Sequence, residues 1–429
     1  MSSTTVLLIN AIAYTLILGY FFHKGRVCLG VLIWSVYTIS SWSSYFFIQQ
    51  PKFETSVHAS TQTLFPCVYL IIVLFLCVSP LTKIRKIETL YISNSDELRI
   101  FLVICIVFQV VFFTTDFQSV INVLTSRSEL GDLRETAYGI DSAKTLTEIT
   151  GNAITNRMAL LYSGLNPLLT GLSVLLFYCY KKSRSLVVIF AVTTFMNNLR
   201  SIIVSVGRGQ LVMMFVIYLF TLILIRDKIS KKQKKILLLY ITPIFVLGLS
   251  VFWAITISRF GDYASFYMYK YMGEPMVDFN GLLFDKIRGN TGGEAYFSYV
   301  YRLFGEETFT DAQGKYKLIE SVTGLTPFIF YTFVGGLIIE FGKIVPILLA
   351  VLFNRICPHL IRENVGLGGA INYIFFVHFF IYGLFTFPIQ NFEGLMLVYL
   401  FLLNFIFKSS SSNRKRKPQT FLENRNNNI

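Results

Sequence analysis

Apolar runs of about 15–22 residues recur from one end of this chain to the other. Each is long enough to cross a hydrocarbon layer as a helix, at 1.5 Å of rise per residue. A soluble core has no place for so many of them. Only 14% of the 429 residues are charged, against about 25% in a soluble domain. Aromatic residues reach 16%, and phenylalanine alone supplies 42, which suits membrane helices and interfacial belts. The pattern predicts an all-α, polytopic integral membrane protein with about eleven spans. They fall at 5–22, 28–47, 64–81, 99–115, 158–179, 185–205, 210–225, 236–257, 327–354, 368–387 and 392–407. Residues 1–407 then form one transmembrane domain, and 408–429 a basic, solvated tail. No internal repeat is visible.

A net charge of +14 would suit a nucleic-acid binder, but the distribution of the cations excludes that class. They gather in short linkers between apolar runs: Lys24 and Arg26, then Lys83, Arg85 and Lys86, then Lys181, Lys182 and Arg184. Arg226 to Lys235, Arg355 with Arg362, and Arg414 to Lys417 continue the series. These clusters occupy alternate linkers, as the positive-inside rule requires. The C-terminus is therefore expected in the cytoplasm, and an odd number of spans puts the uncharged N-terminus outside. The six cysteines lie in or beside apolar runs without metal-ligand spacing, so neither a disulfide framework nor a zinc site is expected. The first apolar run lacks a basic leader and a small-residue cleavage site, and reads as a retained helix.

Two long segments face the outside on this topology, 116–157 and 258–326. Long connections are uncommon unless they work. Between them, Arg200 and Arg208 bracket the external end of a tight helical hairpin. An arginine at the bilayer centre costs about 2.5–3.5 kcal/mol on insertion scales; near a helix end it can reach the headgroups instead. Positive charge on the outer side runs against the local bias, and here it comes with Asn197, Asn198, Gly207, Gly209 and Gln210. Arginine's planar fork suits a phosphate, and glycines admit close backbone approach. A lipid-linked diphosphate at the outer leaflet fits that combination.

The later external segment opens "SRFGDYASFYMYKYMGEPMVDFNGLLFD". Its tyrosines can stack on sugar faces, although an interfacial aromatic belt would also use tyrosine. Arg259 adds a third cation there.

The stretch "YKYMGEPMVDFNGLL" resembles the aromatic–Gly–x–Pro–(x)–Asn segment of the bacterial oligosaccharide repeat-unit polymerases, the Wzy-type polymerases of O-antigen and capsule. "SVGRGQLVMMFVIYLF" is similar to the Arg-Gly that opens a membrane helix in that family. "GLTPFIFYTFVGGLIIEFGKIVPILLAVLFNRI" resembles its late segment, with Glu340-Phe341-Gly342 in place of the commoner Asp-Phe-Gly. An Arg-x10-Gly pair described for some members is not found.

That resemblance implies a GT-C-like, metal-independent glycosyltransferase without a cofactor, in a bacterial inner membrane. It would move a growing polyprenyl-diphosphate-linked glycan onto a new lipid-linked unit. Implied partners are those lipid-linked glycans, membrane lipids, a Wzz-type chain-length regulator and a flippase, with no nucleic acid. Arg200, Arg208 and Arg259 take the diphosphate, with Arg288 or Arg302 as substitutes, while Tyr267, Tyr271 and Asn280 take the sugar. The base is open among Glu274, Asp278, Glu294 and Glu340, with Glu340 and Asp278 in front. Of the four histidines, His23 and His359 fall on the cytoplasmic side, His378 in a helix and His58 in a short early loop, so no loop histidine of the ligase type is expected.

Other classes remain in view. An O-antigen ligase would carry a histidine in the large loop. A lipid-linked oligosaccharide flippase would show a repeat and short external loops. A solute transporter would need broken helices with polar contacts at mid-membrane, and the glycines and prolines of 326–346 could supply one.

Overall fold

The computed structural model describes residues 1–25, 27–87, 89–91, 95–115, 117, 121, 153–205, 208–235, 239, 257, 261–298, 301, 312–325, 330–360, 364–388 and 394–412. Almost everything described is helical. In chain order the helices are α1 (Ser3–Gly25), α2 (Leu29–Ile48), α3 (Leu64–Val78), α4 (Ser95–Thr115), α5 (Ala153–Cys179), α6 (Arg184–Ser205) and α7 (Arg208–Leu224). There follow α8 (Ala264–Asp278), α9 (Ala312–Thr323), α10 (Phe333–Phe341), α11 (Val345–Leu360), α12 (Leu367–Tyr382) and α13 (Leu395–Ser412). One short parallel pair, β1 (Thr89–Tyr91) with β2 (Asn364–Gly366), ties two linkers together in the register Thr89 opposite Asn364.

Among the described residues, five helical segments are long and apolar enough to cross a membrane: Ser3–His23, Leu29–Ile48, Leu64–Lys83, Asp96–Thr114 and Arg184–Ile203. Their outward faces are apolar at helical spacing. Ile9, Ile12, Leu16 and Tyr20 line α1, while Ile100, Val103, Ile104, Val107, Val110 and Val111 line α4. Val188, Ile189, Val192, Phe195 and Met196 do the same on α6. Residues three and four apart share a helix face, and water does not tolerate such continuous apolar stripes on a soluble monomer. Several helices are thus built like those of a membrane protein. The inner faces close on a core in which Tyr14, Phe21, Trp34 and Tyr37 of α1 and α2 are fully buried.

The expected span 327–354 is not one helix. α10 stops at Phe341, the chain turns at Gly342 with φ of +77°, and α11 restarts at Val345. That left-handed backbone suits glycine, which has no Cβ to clash. The last helix runs to Ser412, past the expected start of the tail at 408. The expected span 236–257 and most of the segment 116–157 lie outside the described residues.

The described part of 258–326 is folded rather than loose. α8 lies along the second half of α2, with Phe266 against Phe47 at 5.2 Å and Tyr269 against Phe46 at 5.5 Å. Ser40 donates to the carbonyl of Met272 at 2.6 Å. At Gly273 the two backbones nearly touch: a Cβ there would stand 2.6 Å from the Ser44 nitrogen. Pro275 has no N–H and cannot continue the regular ladder, and after Asp278 the helix widens into a π-helical turn over Phe279–Phe284.

Gly273→Val should therefore lower stability by about 1–3 kcal/mol through overpacking against rigid backbone. Gly19→Ala, which meets nothing within 4 Å, should not. Thermal unfolding of the two variants in detergent checks this, and a wild-type melting point for Gly273→Val would remove the close contact.

Candidate acid–base centre

Glu274 and Asp278 are four residues apart on α8 and so project from one face. The connection from α2 to α3 delivers a histidine onto that face. This connection starts with a helical turn at Pro51–Phe53, whose Phe53 packs edge-on against Phe47 at 5.1 Å. His58 then turns inward, its ring 5.9 Å from that of Phe47. Its Nδ1 stands 3.0 and 3.1 Å from the two carboxylate oxygens of Asp278. Its Nε2 stands 3.5 Å from Oε1 of Glu274. Exposure is 2% for His58, 2% for Glu274 and 0% for Asp278. Lys270, one turn before Glu274, reaches to 4.0 Å of Oε2 and is partly exposed, linking the cluster to the surface.

These three groups lie outside the five long apolar spans, and burial governs their protonation. Removal from water disfavours a charge. It raises Asp278 well above the usual carboxylate range, against the opposing pull of Lys270 and the backbone amide of Phe330. It lifts Glu274 to about 7, helped by the charge of Asp278 and opposed by Lys270 and His58. It lowers His58, against the pull of Glu274. Glu274 is therefore the member of the cluster that gains and loses its proton near neutral pH, the range in which a general acid or base works best.

The ligand-type atoms of the three residues lie within 4.8 Å of one another. The imidazole nevertheless separates the two carboxylates, with Asp278 on Nδ1 and Glu274 on Nε2. Asp278 bonds Nδ1 and so orients the ring of His58, while Nε2 faces Glu274 at 3.5 Å without a formed hydrogen bond, close enough for a proton to pass once the two draw together.

A cation–aromatic patch adjoins the relay. Lys52 places its Nζ 4.2 Å from the ring centre of Tyr263 and 5.1 Å from that of Tyr267, and donates to the Tyr267 hydroxyl at 3.4 Å. Tyr271 is half-buried one turn along α8. Asn280, expected to bind sugar, is instead buried and part of the scaffold. Its Nδ2 donates to the Thr63 carbonyl at 2.7 Å and to Cys67 Sγ at 2.9 Å, and its Oδ1 accepts from the Thr63 amide at 2.8 Å. It thereby pins the histidine-bearing connection to the π turn. Gly281 sits beneath Ser60 for the same reason: a Cβ there would come within 2.2 Å of Ser60 Oγ.

Glu340 belongs to a second polar cluster. It is fully buried and accepts from Thr291 Oγ1 at 2.7 Å, while the Thr291 amide donates to the Ile339 carbonyl at 2.9 Å. The Tyr296 and Tyr331 hydroxyls bond each other beside it, and Lys315 stands 4.2 Å over the Tyr296 ring. Phe330 touches Asp278 through its amide and Tyr331 borders the Glu340 cluster, so consecutive residues join the two.

Arg200 is buried, its guanidinium 3.8 Å above the ring of Phe112. It closes one end of a polar seam between α4, α5 and α6. In that seam Gln109 donates to Thr194 at 2.9 Å, Asn166 to Asn198 at 2.9 Å, and Asn198 to Thr170 at 3.0 Å. Arg208 begins α7. Its side chain, and Arg259 and Arg302 altogether, lie outside the described residues, while Arg288 is exposed.

Sequence reasoning set His58 aside because it sits in a short early connection. The signal that could have found it is the Glu274–Asp278 spacing beside the one histidine assigned to the outer face.

Because Glu274 is held at about 7 when folded against 4.5 in its ordinary state, the folded chain binds more protons than the unfolded one between those values. Its contribution to stability is complete below pH 4.5 and is lost as pH rises through 7. The melting-temperature advantage of wild type over Glu274→Gln should thus shrink across that window. Parallel curves from pH 4 to 8 would contradict it.

No family model matches this chain, and no curated protein or solved structure matches it significantly.

Proposed function

We propose that this chain is a polysaccharide polymerase that transfers a growing glycan from a polyprenyl diphosphate to a new lipid-linked repeat unit. The observation that carries the reading is where the family-like segment ends up. "YKYMGEPMVDFNGLL" folds as one docked unit whose two acids close on the single external histidine, His58. A motif kept only as an aromatic belt has no use for a buried proton relay.

In the proposed reaction a hydroxyl oxygen of the acceptor sugar attacks the anomeric carbon of the donor. The bond from that carbon to the diphosphate oxygen breaks, and its electron pair leaves with the diphosphate. The hydroxyl proton passes to the Glu274 carboxylate, reached by displacement of Lys270, and is shared with His58. Asp278, bonded to Nδ1, holds the imidazole in place toward Glu274. Arg200, with Arg208 and Arg259, takes up the charge developing on the diphosphate. Tyr267 and Tyr271 offer ring faces to sugar beside the relay, and Glu340 supplies a second acid in the adjoining cluster. On this reading about eleven spans cross a bacterial inner membrane in a GT-C-like arrangement, with the C-terminus cytoplasmic and the N-terminus periplasmic. A flippase would supply the lipid-linked units and a chain-length regulator would act beside the chain.

A proton-coupled solute transporter is the second reading, favoured by the seam of Gln109, Asn166, Thr194 and Asn198 inside apolar helices. Polar groups there are rare and functional by default.

Deleting the gene and resolving the host's surface polysaccharide on a gel separates the two. A polymerase predicts collapse of the ladder to a core bearing one repeat unit. Restoration is expected with wild type, and failure with His58→Gln, Glu274→Gln and Arg200→Ala at normal protein level. Loss of transfer by about two orders of magnitude or more is the expected scale for removing a general base. An unchanged ladder in the deletion strain would contradict the polymerase and favour the transporter; a core with no repeat unit would favour a ligase or flippase.

A further inference from the structure

A cavity of about 500 Å³ opens between α3 and α11, lined by Leu76, Val351, Asn354, Arg355, Pro358 and His359. Its size falls among small-molecule sites, which span about 300–1,000 Å³. Its wall is fixed rather than incidental. Asn354 Nδ2 donates both to the Leu76 carbonyl at 2.7 Å and to Ser79 Oγ at 2.8 Å, locking α11 to α3 beside the opening.

The lining is amphipathic and free of acids. Arg355 brings a permanent positive charge and His359 a ring nitrogen, while Leu76, Val351 and Pro358 are apolar. Lys83 stands close enough to the neighbouring Cys357 to act on it electrostatically, adding a cation on the same side. This is the end of the molecule where the cationic linkers gather. Away from it, both flanking helices turn apolar residues outward. Ile72 on α3 is 48% exposed, and Leu348 and Leu352 on α11 are 60% and 53% exposed. The cavity therefore has cations at one end and runs into bare hydrocarbon surface at the other.

We infer that this cavity holds the phosphate headgroup of an anionic phospholipid of the cytoplasmic leaflet, whose acyl chains lie along Ile72, Leu348 and Leu352. A soluble phosphate would satisfy the cations but leave the apolar half of the lining and its flanks uncovered. A zwitterionic lipid would cover the apolar part but bring its own cation beside Arg355. Basic pockets between spanning helices on this side recognise acidic headgroups for the same reason. The site is independent of the proposed transfer chemistry, and rests on the helices crossing a membrane with the cationic linkers inside.

The test is native mass spectrometry of the full chain in mild detergent, with phosphatidylglycerol or phosphatidylcholine added. Wild type should retain phosphatidylglycerol in preference. Arg355→Gln should weaken that preference about five-fold, the scale expected for one cation near an acidic surface. The doubly substituted Arg355→Gln, His359→Gln chain should abolish it. Val351→Trp, which fills the cavity and leaves every charge in place, should also lose the lipid. Lys231→Gln with Lys232→Gln, cations outside the cavity, should retain it. Equal retention of the two lipids would overturn the inference, as would an equal loss in the Lys231 and Lys232 variant. So would full retention by Val351→Trp, or displacement of the lipid by glycerol phosphate at matched concentration.

Discussion

Gly273 stands so near the backbone of Ser43 and Ser44 that no side chain fits between them, and the placement of the acid–histidine cluster follows from that approach. It sets the depth at which α8 lies on α2 and the rotation of its remaining residues. With Gly273 turned toward α2, Ser40 reaches the Met272 carbonyl, and the next residues, Glu274 and Asp278, face the connection that carries His58. Asn280 and Gly281 then clamp that connection from below. Two segments separated by 220 residues in sequence become one site. A single glycine thus sets the geometry of the cluster, since any larger residue would lift α8 and part the acids from the imidazole.

Burial does the remaining work. Water would leave Glu274 and Asp278 ionised and His58 largely indifferent to them. In a nearly dry site each group is pushed toward its neutral form, and each restrains the others. The result is a small store of exchangeable protons, with Lys270 as its contact with the surface. The Glu340 cluster repeats the principle with hydroxyls, and the seam around Asn198 repeats it with amides. In all three places polar groups within an apolar protein gather together, although His58 Nε2, Glu274 Oε2 and Glu340 Oε1 stay without a hydrogen bond.

Much of the helical framework was legible in the sequence because apolar length is set by the solvent a helix crosses. The starts of α2, α3, α6 and α12 fall within one residue of the expected ones. The break at Gly342 falls in the stretch 326–346 whose glycines and prolines admitted a broken helix, but its exact place was not legible because the turn depends on one backbone angle. α8 read as an irregular segment because it contains Gly273 and Pro275, which propensity places in turns. Here tertiary contact overrides propensity: the glycine is needed for the close approach, and the proline precedes the widening into a π turn. Asp278 was visible as an acid in a family-like motif, whereas its partner His58 was not, since sequence distance carries no signal of contact. Asn280 was misread for the opposite reason. Its polarity suggested a ligand, but its hydrogen bonds are all consumed by Thr63 and Cys67.

On the proposed function, the His58–Glu274–Asp278 cluster takes up the acceptor's proton during glycosyl transfer. The most direct measurement reconstitutes the purified chain in vesicles with a synthetic polyprenyl-diphosphate-linked repeat unit and follows product length with time. Wild type should build multimers, while Glu274→Gln and Asp278→Asn, folded and still able to bind the lipid-linked unit, should leave it monomeric. Elongation by those variants at the wild-type rate would remove the relay from the chemistry, and no elongation by any form, wild type included, would contradict the transfer itself.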